Sequence, residues 1–274
     1  MFINTNDNIN LYVNEKGSGI PCIYIHGGPG SWSKDFELFC GVYLEKNLRM
    51  IYMDQRGCGR SGGNGSINYS ISALVKDIET VRKELSLDKV ILLSHSFGGI
   101  IAVNYAYKYP QNIKSLILLN STLNLEDSLF SQIEYGCDLL NYDLDKYTGH
   151  PIIKTWREIS YKLIQKDLYY KLQYKEYENF LRMNVVDEDF ENHSMSRQAF
   201  DNEEYFKNYY YITKYIKVKT LIISGDQDYA IGIKHHINFK FENYILKNIK
   251  GKHTPYLEDT FELVKIIKNF ISKL

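Results

Sequence analysis

Cysteine is scarce in this chain of 274 residues, and its placement excludes two roles. Cys22, Cys40, Cys58 and Cys137 show no C-x-x-C or Cys/His metal spacing, and four are too few to frame a chain of this length with disulfides. They are expected as free thiols in a reducing compartment. Net charge is lacking too. The 33 basic and 33 acidic residues cancel, so no summed field draws the chain toward nucleic acid, an anionic membrane or a polyacidic partner. Long apolar runs are also missing. The stretch MFINTNDNINLYVNEKGSG carries Asp7 and Glu15 and lacks the apolar core of a signal peptide, and no later segment approaches bilayer length. A soluble, cytoplasmic protein is the expectation. The chain shows no internal repeat, low-complexity tract or proline-rich linker.

What is present is an alternation. MFINT and INLYVNE read as an opening hairpin turned by Asn6, Asp7 and Asn8. PCIYIHGG and LRMIYMDQRG are continuous apolar runs of the kind found in strands buried on both faces. ISALVKDIETVRKEL places Leu74, Ile78 and Val81 at helical spacing; VILLSH is again a buried strand, FGGIIAVNYAYKYP a helix until Pro110, and KSLILLNS a strand. Such alternation predicts a parallel sheet with right-handed crossovers. It stops from Thr122 to Lys217, where four segments read as helices: SLFSQIEYGCDLL, IIKTWREISYKLIQ, LYYKLQYKEYENFLRM and DNEEYFKNYYYITKYI. KTLIISGDQD and NYILKNIKG then return as strands, and TFELVKIIKNFISKL closes the chain as a helix. An insertion after the sixth strand of an α/β sheet lies over the carboxyl ends of the strands, where ligands bind. The expected division is a core of residues 1–121 and 218–274 with a helical cap over 122–217.

Four short motifs carry the chemistry. In VILLSHSFGG, Ser96 falls on the bend between a strand and a helix, with Gly98 and Gly99 small enough for close approach and Ser94 where a G-x-S-x-G pattern has its first glycine. Taken alone, this serine is equally a helix N-cap. HGGPG at residues 26–30 follows a buried strand, and consecutive glycines there leave backbone N–H groups free to face a cavity. An oxyanion hole at this place would use the amides of Gly28 and Phe97. LIISGDQD offers Asp226 and Asp228, of which Asp228 is preferred because Asp226 suits the turn itself. KNIKGKHTPYLE presents His253 on a loop before the last helix, a side chain suited to moving a proton near neutral pH. The remaining histidines lie in the turns already described, the cap or a late helix. Ser96, Asp228 and His253 thus form an ordered nucleophile, acid and base.

HGGPG, DQRGCGRS at residues 54–61, the Ser96 bend, GDQD and GKH together resemble the α/β-hydrolase superfamily, specifically its prolyl aminopeptidase (proline iminopeptidase) branch. The resemblance covers nearly all of the chain outside the cap. It implies an α/β-hydrolase fold: a mostly parallel central sheet flanked by helices, with the helical cap after the sixth strand. It also implies Ser96 as nucleophile, Asp228 and His253 as its partners, Gly28 and Phe97 as oxyanion donors, and a bracing role for Asp54, Arg56 and Arg60. The expected substrate is a small molecule or short peptide, with no metal or organic cofactor. The branch places glutamates in the cap, in some members with another Glu directly after the triad Asp, to receive a substrate's amino terminus. Here Tyr229 holds that last position. Two further readings stand beside the aminopeptidase: an esterase, lactonase or other small acyl hydrolase, and a noncatalytic small-ligand receptor on the same fold.

Overall fold

The computed structural model describes residues 1–65 and 67–274. Eight strands form one sheet: β1 (Phe2–Asn4), β2 (Asn10–Lys16), β3 (Ile20–Ile25), β4 (Leu48–Met53), β5 (Val90–Ser96), β6 (Ile113–Ser121), β7 (Thr220–Gly225) and β8 (Tyr244–Ile249). Their order is β1-β2-β4-β3-β5-β6-β7-β8. The hairpin β1–β2 and the pair β2–β4 are antiparallel; every other pair is parallel. Asn8, in the hairpin turn, takes a positive φ of 64°, which Asn tolerates better than most residues.

Alternate residues of the central strands feed opposite layers, as the two-residue period of a strand requires. Ile23 and Ile25 of β3, with Val90 and Leu92 of β5, join the core beneath helices α1 (Ile71–Glu84) and α2 (Gly98–Lys108). Cys22, Tyr24, Ile91 and Leu93 face the other way, against the closing helix, whose Leu263, Ile267 and Phe270 are buried there. Helix α1 begins where Ser70 accepts the Ala73 amide, and Arg82 and Lys83 sit in its last turn, matching the negative end of its dipole. A helical segment over residues 34–44, with a π-turn at Glu37–Gly41, was not visible as periodicity in the sequence.

Between β6 and β7 lie helices α3 (Leu125–Leu140), α4 (Ile152–Gln165) and α5 (Tyr177–Asp187), with shorter turns after them. Helices α3 and α4 enclose a small core of their own built on Ile133, Cys137, Ile159 and Leu163. The later half of the insertion behaves otherwise. Met195, Tyr205, Tyr209 and Ile212 are buried in the α1/α2 core, and the Tyr205 hydroxyl donates to the Tyr69 carbonyl at 2.7 Å. Two main-chain hydrogen bonds between Gly59 and Asn192 stitch the same half to the loop after β4.

Two segments that read as continuous helices are broken. Within LYYKLQYKEYENFLRM, a 3-10 turn at Tyr169–Leu172 ends before α5 begins. The Gln173 carbonyl accepts the His253 amide and the Lys175 amide donates to Glu258, so contacts with the core take the groups a helix would use. In DNEEYFKNYYYITKYI, the Asn202 and Asn208 side chains accept the amides of Glu204 and Tyr210, leaving two 3-10 turns, Glu203–Phe206 and Tyr210–Tyr215. Local side-chain acceptors win over the helical ladder there.

Candidate active site

Ser96 is the last residue of β5, and Phe97 is the N-cap of α2. The bend between them holds Ser96 at φ +52°, a left-handed conformation that non-glycine residues seldom adopt. The flanks must be bare. A β-carbon on Gly98 would overlap the Ile25 carbonyl, and one on Gly99 would lie 2.6 Å from Ser121 Cβ. Ser94 is tolerated in place of the first glycine because its hydroxyl, fully buried on β5, lies 3.1 Å from the Ser121 hydroxyl.

Three strand ends bring the predicted triad together. Ser96 Oγ is 3.0 Å from His253 Nε2, and His253 Nδ1 is 2.9 and 3.0 Å from the two carboxylate oxygens of Asp228. Asp228 is fully buried, and one of its oxygens also accepts the Ala230 amide. The carboxylate has only acceptors to offer, so the hydrogen on His253 sits at Nδ1 and leaves Nε2 free to accept from the serine. Asp226 turns instead to the Gly251 amide, fixing the acid turn against the histidine loop.

The HGGPG loop closes over this line. Gly28 has φ +117°, and a β-carbon there would overlap the Gly30 nitrogen, so the loop requires glycine. Neither the Gly28 nor the Phe97 amide donates to a protein acceptor among the described residues. The Phe97 ring packs inward on Tyr205 with centroids 4.7 Å apart, and its N–H belongs to the first turn of α2. His26 braces the loop: its Nε2 accepts the Gln55 amide at 2.9 Å, so Nδ1 carries the proton and donates to the Gly27 carbonyl at 2.9 Å. Burial pushes this imidazole down to about 4, which keeps it neutral.

In the DQRGCGRS segment, Asp54 accepts from the Ser33 amide and hydroxyl and from Arg60. Arg56 is buried between Asp77 and Asp7 and also donates to the Asn68 carbonyl. These groups fix loops.

Ser96, His253 and Gly28 line a cavity of about 500 Å³. One part of its wall is apolar and aromatic, with Leu125, Leu129, Trp156, Phe200, Phe206 and Ile231. Another part is polar. Asp35 and Asp187 are its only carboxylates among the described residues, and none of the cap glutamates lines it. Asp35 accepts the Tyr256 hydroxyl at 2.6 Å and the Phe36 amide at 2.7 Å, and burial pushes its carboxyl up to about 7. Asp187 accepts the Trp32 indole N–H at 2.8 Å, and burial raises it as well. Sequence reasoning missed both acids, because an isolated Asp carries no local mark of facing a cavity.

A family described as alpha/beta hydrolase fold matches residues 21–260. A proline iminopeptidase of Lactobacillus delbrueckii subsp. bulgaricus is 39% identical over 115 residues, 40% of this chain and 39% of that protein. The match therefore spans well under half the length of that curated relative. An esterase from Exiguobacterium antarcticum superposes over 99% of both chains with a TM-score of 0.73 at 22% identity. A proline iminopeptidase of Mycobacterium smegmatis does so over 100% of this chain and 97% of that one, with a TM-score of 0.73 at 16% identity. At those identities the two superpositions speak for the fold. The family match extends from β3 to the start of the last helix, and on it the chain belongs to the alpha/beta-hydrolase fold family.

Proposed function

We propose that this protein is a serine hydrolase working by acyl transfer, and that its substrates are small molecules or short peptides with a free amino group beside the scissile carbonyl. The observation that carries the reading is the hydrogen-bonded line from Ser96 through His253 to Asp228 at the wall of the cavity. Ser96 Oγ attacks the carbonyl carbon as His253 Nε2 takes its proton. Asp228 holds the imidazole tautomer and stabilises the positive ring. The amides of Gly28 and Phe97 receive the oxyanion, and His253 returns the proton to the leaving amine or alcohol. Water, deprotonated by the same imidazole, then releases the acid. In this reading residues 122–217 are the cap that roofs the site, and the setting is the cytoplasm. Among the described residues no helix is long and apolar enough to cross a membrane.

The amine preference rests on Asp35 and Asp187. A carboxylate has about four acceptor positions, and Asp35 uses one on Tyr256 and one on its neighbour's amide, leaving room for an ammonium group. The likeness to a proline iminopeptidase over 115 residues supports the same substrate class. A second reading, an esterase or other small acyl hydrolase, is favoured by the aromatic wall and by Tyr229, whose ring stacks on Tyr135 at 3.7 Å and supplies no acid. Prolyl and other aminoacyl arylamides, assayed beside short acyl esters with wild type and Ser96→Ala, separate the two. Arylamide turnover that disappears in Ser96→Ala is expected; ester turnover alone would leave only the second reading. Activity that survives Ser96→Ala would remove both.

A further inference from the structure

From the pair Ile91 with Ser115 to the pair His95 with Leu119, β5 and β6 run in regular register; the next pair is Ser96 with Ser121, and Asn120 is left over as a bulge beside the bend. Asn120 is fully buried and takes a φ of 39°. Its side chain spans two loops. Oδ1 accepts the Gly225 amide at 2.8 Å, at the start of the turn that carries Asp228. Nδ2 donates to the Lys252 carbonyl at 2.7 Å and to the His253 carbonyl at 3.2 Å. From β5, the ring of His95 reaches the same acceptor, with Nε2 2.8 Å from the His253 carbonyl oxygen. A carbonyl oxygen has two lone pairs, and this buried one meets two side-chain donors from neighbouring strand ends.

We propose that Asn120 and His95 are positioning residues that hold the His253 main chain from two sides and so set its imidazole between Ser96 and Asp228. His95 does this from the position next to the nucleophile, which ties the Ser96 to His253 distance to the backbone of the bend. Asn120 ties the acid turn and the histidine loop to each other. Both act through His253. The inference rests on the reading of Ser96 as nucleophile.

The test is the second-order rate at which a fluorophosphonate labels Ser96, with steady-state kinetics and pH profiles alongside. Asn120→Gly suits the left-handed backbone and removes only the side chain; His95→Phe keeps a ring and removes the donor. Each is expected to lower the labelling rate and kcat by roughly 10²-fold, the usual cost of a small misplacement of reacting groups, with KM little changed. Asn120→Gly, which alters no charge, should also move the acid limb of the kcat/KM profile. His95→Gln, which restores a side-chain N–H, should recover most of the rate. Wild-type labelling rates and pH profiles in both variants would overturn the proposal, even if their melting temperatures fall. Should Asn120→Gly not fold, the contrast between His95→Phe and His95→Gln decides. If wild-type Ser96 does not label, the hydrolase reading fails first and this inference with it.

Discussion

At the scale of single residues, the site is made of side chains placed where the backbone resists them. Ser96 sits at a left-handed φ, and Gly28 occupies a conformation that only glycine takes without strain. Asp35 is held in an equally adverse setting: burial keeps its carboxyl near 7, so it is only partly ionised at neutral pH. An ammonium group binds the ionised form, and affinity for an amine-bearing substrate should therefore rise as pH increases through about 7. Asp35→Asn is expected to raise KM for such substrates, leave kcat for simple esters nearly unchanged, and flatten the pH dependence of KM. Steady-state kinetics between pH 6 and 8 with a neutral analogue as control would check this. Loss of both amide and ester turnover would instead mark Asp35 as part of the frame.

At the scale of elements, loops are fastened to one another by buried neutral groups. Gln55, in the loop after the following strand, donates its main-chain amide to the His26 ring and its side-chain amide to the His26 carbonyl, and the ring tolerates no charge there. A histidine neutral when folded and protonated when unfolded gives stability that is fully present above its ordinary pKa of 6.5. That stability drains away as pH falls toward the folded value of about 4. His235 is held down to about 4 by burial in the same way, so the two add in sign. Between pH 6.5 and pH 4 these two rings destabilise the fold, His26 by on the order of 3 kcal/mol. Asp35, whose folded carboxyl is raised, acts with the opposite sign over the same range, so the quantity to read is the difference in melting temperature between wild type and His26→Asn. His26→Asn should lower stability at neutral pH and reduce the slope; an unchanged slope would show that the loss lies elsewhere.

The same scale shows where sequence was a sufficient guide. Strands buried on both faces announce themselves as apolar runs, and VILLSHS and TLIISG are buried along their whole length. The close approach at the bend is legible too, since Gly98 and Gly99 are the only residue type that clears Ile25 and Ser121. Illegible were the tyrosine-rich turns over 203–215, whose apolar spacing mimics a helix while asparagine side chains claim the amides. Asn120 was equally hidden. Its partners Gly225, Lys252 and His253 lie more than a hundred residues away, and no local pattern encodes such a meeting.

At the scale of the whole molecule, the insertion is two structures in sequence. The α3/α4 pair holds its own small core, whereas Met195, Tyr205, Tyr209 and Ile212 complete the core beneath α1 and α2. Amide hydrogen exchange should reflect this: protection in α3 and α4 is expected to be lost in a subglobal opening well below the free energy of global unfolding, while residues 205–216 exchange only with α2. Equal protection in both halves would contradict it. Molecular traffic is bound by the same asymmetry. Trp156 hangs from the independent pair, while Ala199 and Phe206 stand on the half fused to the frame. If the α3/α4 pair opens first, as the exchange pattern above predicts, passage falls on the Trp156 side, and Trp156→Ala is expected to change how fast the chamber refills rather than how tightly it grips.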